Sequence, residues 1–124
     1  MTTIAGDISG YRVLSPKRER MLINIRTTIG AAGAVSATDA DDPACTCTKN
    51  GGTGDYTFGF PNALKGSAFV SMVSAAGTVK THWQVAFSPT AGTLNIVTGN
   101  GGGTATNPAS GDVLHVLLVL DTAG

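Results

Sequence analysis

The segment Val79-Lys80-Thr81-His82-Trp83-Gln84-Val85-Ala86-Phe87 decides the fold class. An alternation of period two puts Val79, Trp83, Val85 and Phe87 on one face and Lys80, His82 and Gln84 on the other. Side chains leave an extended strand on alternate faces, so the pattern predicts a half-buried strand with the aromatic set turned inward. Helical periodicity is nearly absent from the rest of the chain, and short period-two runs recur between clusters of Gly, Asn, Asp, Ser and Thr.

Elsewhere in the chain, Met21, Ile23 and Ile25 alternate with Leu22, Asn24 and Arg26, and Tyr56, Phe58 and Phe60 alternate with Thr57 and Gly59. Pro61 then removes the next ladder donor. Lys49-Asn50-Gly51-Gly52-Thr53-Gly54-Asp55 tolerates the positive φ of a tight turn, so Cys45–Thr48 and Tyr56–Phe60 are expected to form a hairpin. Pro89-Thr90-Ala91-Gly92 makes a second turn, from the Trp83 strand to residues 93–98. Residues 68–74 read as a further short strand. Val113-Leu114-His115-Val116-Leu117-Leu118-Val119-Leu120 is apolar on both faces, as befits a central strand or one covered by a partner. Burial of Phe58, Phe60, Trp83 and Phe87 is expected to anchor the core, each contributing about 1.5–3 kcal/mol before entropy is subtracted.

The predicted fold is therefore all-β: a single-domain antiparallel β-sandwich or jelly-roll-like barrel over residues 11–124, preceded by an extended N-terminal arm over residues 1–10. Gly99 to Asp112 reads as a long mobile loop, and Asp39-Ala40-Asp41-Asp42 as a solvated acidic loop. A chain of 124 residues suits one core and leaves no place for a second.

Only 13% of the residues are charged, and Lys plus Arg equals Asp plus Glu at eight each, so no global field draws the chain to nucleic acid or acidic lipid. The opening residues lack the basic and apolar regions of a signal peptide, and no run approaches the roughly 20 apolar residues that span a bilayer. The expectation is a protein made in the cytosol, with no membrane and no direct nucleic-acid partner. Cys45 and Cys47, two residues apart, diverge in a strand and are expected to stay reduced.

Candidate chemistry is thin. Gly99-Asn100-Gly101-Gly102-Gly103-Thr104 has neither the Lys-Ser/Thr nor the following helix of a phosphate cradle. His82 and His115 are the only histidines, and they show no clustered ligand spacing with Cys45, Cys47 or the aspartates. The acidic run lacks the glycine and terminal glutamate of a helix-flanked calcium loop. Nucleophilic catalysis needs an activated Ser or Cys beside an oriented base, which nothing marks, and Glu19 is the only glutamate. The sequence predicts no enzyme, cofactor or metal. Arg12, Lys17, Arg18, Arg20 and Arg26 form a basic cluster interrupted by Glu19, which suits salt-bridging to another protein or a solvated face.

Two stretches carry a resemblance. Gly54-Asp55-Tyr56-Thr57-Phe58-Gly59-Phe60-Pro61, preceded by Cys45-Thr46-Cys47-Thr48, resembles the hairpin of small structural proteins of tailed-phage virions. Asn107-Pro108-Ala109-Ser110-Gly111-Asp112, leading into the apolar strand from Val113 to Leu120, is similar to the ending of the same group. The resemblance implies a capsid decoration or cement protein of a bacteriophage. Such a protein is assembled in the host cytoplasm and sits on the outer capsid surface of the virion as a homodimer or homotrimer, bound to the major capsid protein and bridging capsomers. Contact with the shell or sister copies is expected at Ile4, Ile8, Tyr11, Arg12, Lys17, Arg18, Arg20 and His115. A low-charge surface, a tethering arm and an oily last strand agree with that assignment. The competing expectation is a head-fibre or tail-associated module recognising a host-surface glycan.

Overall fold

The structure, a computed structural model, describes residues 20–75, 77, 79 and 81–122. Eight strands follow in order: β1 (Arg20–Ile29), β2 (Val35–Ala40), β3 (Thr46–Lys49), β4 (Asp55–Gly59), β5 (Lys65–Val73), β6 (Thr81–Ser88), β7 (Thr93–Gly99) and β8 (Val113–Asp121). A single 3-10 turn, Ala31–Gly33, joins β1 to β2. The strands form two antiparallel four-stranded sheets, β2-β1-β8-β5 and β3-β4-β7-β6. Of the two expected forms, the chain adopts the open sandwich. The expected arm at residues 1–10, and the stretch to Glu19, lie outside the described residues.

β8 is the central strand that its two apolar faces predict. It pairs along its length with β1 on one side and β5 on the other, from Arg20 opposite Asp121 to Thr28 opposite Val113, and from Lys65 opposite Asp121 to Val73 opposite Val113. Leu114, Val116, Leu118 and Leu120 are buried, and with Ile23 and Ile25 of β1 they meet Tyr56 and Phe58 of β4 and Leu94 and Ile96 of β7 in one core. Both expected hairpins are present: Cys47 pairs with Phe58 across β3 and β4, and Phe87 with Leu94 across β6 and β7. Gly92 turns the second hairpin at φ 72°, where an added Cβ would strike the Phe60 carbonyl.

Three expectations fail in detail. Trp83 and Val85 do not share a face with Phe87, because a bulge between Gln84 and Ala86 shifts the register: Gln84 lies opposite Ile96, and Trp83 opposite Val97. The extra residue turns the face over, so Phe87 points inward while Trp83 and Val85 stay outside. Asp39 and Ala40 belong to β2, and Asp39 stands opposite Arg26, leaving only Asp41 and Asp42 of the acidic run beyond the strand. The segment from Gly99 to Asp112 is tied down along its length. The Asn100 side chain accepts from the amides of Gly102 and Thr104, Gly99 bridges to Ala105, and Thr98 Oγ1 donates to the Thr106 carbonyl at 2.7 Å. At the segment's end the buried Asp112 carboxylate accepts from Ser74 Oγ and from the amides of Ala75 and Ala109.

A buried tyrosine fastens the 3-10 turn to the core. Tyr56, fully buried, donates its hydroxyl to the Gly33 carbonyl at 2.5 Å, and desolvation pushes its pKa up to about 12. Gly33 has φ 79°, and a Cβ there would meet the Asn107 side chain at 2.9 Å. Asn107 in turn accepts from the Gly54 amide at 2.7 Å. Tyr56→Phe strands the Gly33 carbonyl and is expected to cost about 1–3 kcal/mol, whereas Phe58→Ala empties a core position and costs about 3–5 kcal/mol. Urea denaturation of the two variants measures both, and a Tyr56→Phe variant as stable as the unmodified chain would remove the hydroxyl's role.

Candidate functional site

The two edges of the sandwich differ. β2 and β3 are short and polar, with Ser36, Thr38 and Asp39 on one and Thr46, Thr48 and Lys49 on the other. Charged and short strands blunt an edge against further pairing. At the opposite edge β5 runs for nine residues with Lys65 its only charge. Phe69 and Val73 of β5, Val85 of β6 and the adjoining Leu64 are each more than half exposed, and Trp83 is 38% exposed. All five large apolar side chains that are mainly exposed among the described residues therefore lie on or next to the two edge strands β5 and β6, with Phe69 and Val73 on the outer face of one sheet and Trp83 and Val85 on the outer face of the other.

The hydrogen-bond register shows what β5 offers. The Ile29 amide donates to the Asp112 carbonyl at 2.8 Å, continuing the β1–β8 ladder. Backbone groups alternate in direction along an antiparallel strand. Even-numbered β8 residues therefore bond β1, and odd-numbered ones bond β5; the Asp121 carbonyl, accordingly, accepts from the Leu64 amide. On β5 this assigns Ser67, Phe69, Ser71 and Val73 to the ladder and turns the backbone groups of Gly66, Ala68, Val70 and Met72 out of the sheet. The Ala68 carbonyl is found there by Gln84 Nε2 at 2.8 Å, a side chain reaching across from β6. Beside this edge, a shallow cavity of about 260 Å³ is lined by Asn24, Phe69, Val70, Ser71, His115 and Leu117.

Two of the residues expected to make contacts are in view. Arg20 is engaged within its own sheet: Nε donates to Asp121 Oδ1 at 2.9 Å and Nη2 to Oδ2 at 3.4 Å, raising the guanidinium pKa. His115 is half-buried on the outer face of its sheet, between Arg26 and Ser71, with Nε2 3.2 Å from Asn24 Oδ1. It borders the cavity next to Phe69. Ile4, Ile8, Tyr11, Arg12, Lys17 and Arg18 lie outside the described residues. The sequence reading missed Phe69 and Val73. Their signal was the run 65–73, where Ala68, Val70 and Met72 alternate with Phe69 and Val73, leaving apolar side chains on both faces of one strand.

Cys45 and Cys47 are free, and burial pushes both thiols up to about 11, so neither is a thiolate nucleophile near neutrality. No three His, Cys, Asp or Glu side chains gather as metal ligands among the described residues. No helix among them is long and apolar enough to cross a membrane. On the outer face of the second sheet, Asp55 Oδ1 accepts from Asn50 Nδ2 at 2.9 Å and from Asn95 Nδ2 at 2.6 Å. Comparison with protein-family models, curated proteins and solved structures returns no match.

Hydrogen bonds from Asn50 and then Asn95 hold the Asp55 carboxyl below its ordinary value of 3.8. Its contribution to stability is thus complete above that ordinary value and is lost as pH falls through the lower folded-state value. Asp55→Asn is expected to flatten the loss of stability on acidification, read as urea midpoints across the acid range. An unchanged acid slope would show that Asp55 does not carry it.

Proposed function

We propose that this chain is a structural virion protein of the capsid-decoration type, which binds the outer shell of a phage capsid and stabilises it by bridging capsomers. The observation that carries the reading is the set of exposed apolar side chains on the edge strands β5 and β6 of a sparsely charged sandwich. Exposed apolar side chains gathered on two neighbouring edge strands suit a protein-binding surface, whereas scattered apolar residues carry no such meaning. The resemblance of the 54–61 hairpin and of the closing strand to virion proteins points to the same class. Reinforcement would come from area buried across several copies, so that attachment gains by avidity.

A second reading has one observation on its side. Trp83 lies exposed over Gly99, where an added Cβ would stand 2.9 Å from the indole, and Gly99 opens the Asn100–Thr104 turn. An indole beside amide and hydroxyl groups is a surface on which a sugar ring stacks, as a fibre or tail module binding a host glycan would need. Titrating the protein with host-surface oligosaccharides while following Trp83 fluorescence tests it. A saturable change abolished by Trp83→Ala would favour this reading, and a flat response would remove it.

For the leading reading, protein added to shells of the parent capsid that lack it is expected to bind saturably and raise the temperature at which they rupture. Deleting residues 1–10 should weaken attachment while leaving the melting temperature of the free protein unchanged. Absence of binding by the full chain would overturn the assignment.

A further inference from the structure

We propose that β5 pairs with β5 of a second copy, antiparallel about a two-fold axis through Phe69, joining the β2-β1-β8-β5 sheets of the two copies into one eight-stranded sheet. This deepens the reading above by naming one partner, and rests on it only in that both require a face kept for protein. Three observations select the occupant.

The first is that the edge has pairing capacity. The amides and carbonyls of Gly66, Ala68, Val70 and Met72 face outward, and the Ala68 carbonyl, held by Gln84, keeps a second lone pair for a strand amide. β6, by contrast, is interrupted by its bulge between Gln84 and Ala86, which makes it a poor ladder.

The second is that the strand complements itself. Phe69 is the midpoint of Lys65–Val73, so a two-fold there pairs all nine residues. Inward, Ala68 then meets the second Val70, and Gly66 the second Met72, small against large. Outward, Ser67 meets Ser71, Lys65 meets Val73, and the two Phe69 rings face each other at a non-hydrogen-bonded position, where side chains come closest. Each Lys65 sits at the far end from its mate, roughly 26 Å away at about 3.3 Å per residue, beyond the screening length at physiological salt.

The third is size. The edge of a two-layer sandwich nine residues long covers about 30 Å by about 20 Å, on the order of 600 Å² per copy, at the lower end of stable protein interfaces.

Sedimentation of the full chain is expected to show a reversible dimer at about 100 μM, where a micromolar contact is populated. Phe69→Arg and Phe69→Asp should each weaken it about tenfold or more, with thermal melts confirming folded protein, and mixing the two should restore a dimer by placing opposite charges across the axis. The register has its own test. Ser67→Cys with Ser71→Cys in one chain should give a covalent dimer on mild oxidation, whereas Ser67→Cys alone, facing Ser71 of its mate, should not. A monomer at that concentration overturns the pairing, as does a dimer indifferent to Phe69→Arg, or cross-linking by Ser67→Cys alone. A monomer whose Val70 and Met72 amides resist hydrogen exchange would assign the edge to residues 1–19 and overturn it too. A dimer that never binds shells fails the capsid reading alone, and shell binding by a strict monomer fails the pairing alone.

Discussion

Everything in this sandwich is hung on β8. It is hydrogen-bonded on both sides, to β1 and β5, and its inward leucines and valine fill the space against Tyr56, Phe58, Leu94 and Ile96. Buried on one face and bonded along both edges, such a strand fixes the register of its neighbours, because a slip of one residue would turn every core side chain to solvent. The polar ends of the core follow from that fixed register. Tyr56 reaches the Gly33 carbonyl, and Asp112, one residue before β8, gathers Ser74, Ala75 and Ala109 around its carboxylate.

Much of this was legible in the residues. Alternation gave β1 and β4, the continuous apolar run gave β8, the Gly-rich stretch gave the β3–β4 turn, and Pro89 to Gly92 gave the β6–β7 turn. What escaped was the part that depends on pairing rather than pattern. The alternation of residues 79–87 is real, but one extra residue at Val85 inverts it, and a bulge is set by the partner strand, here β7. β2 was hidden because Asp39 and its neighbours read as a loop, although Asp39 stands opposite Arg26 once β1 supplies a template. The segment from Gly99 to Asp112 looked unconstrained because its restraints are side-chain bonds from Asn100, Thr98 and Asp112 and the backbone bridge of Gly99 to Ala105, which no local composition announces.

The candidate site was less legible than the fold for the same reason. Exposure of Phe69 and Val73 is a consequence of β5 standing at the end of its sheet, and edge position is a property of topology. The basic cluster stood out by density, yet Arg20 closes on Asp121 beside it in the sheet. His115 drew notice as one of two histidines and does border the cavity beside Phe69.

The contrast between the two sides of the molecule has a bearing on how far any self-association can run. Growth of an open filament needs two adhesive margins, so that each newcomer offers a fresh end. Here the margin formed by β2 and β3 is short, polar and carries Asp39 and Lys49. A particle adhesive on one side alone would stop at a closed pair instead of extending into a filament.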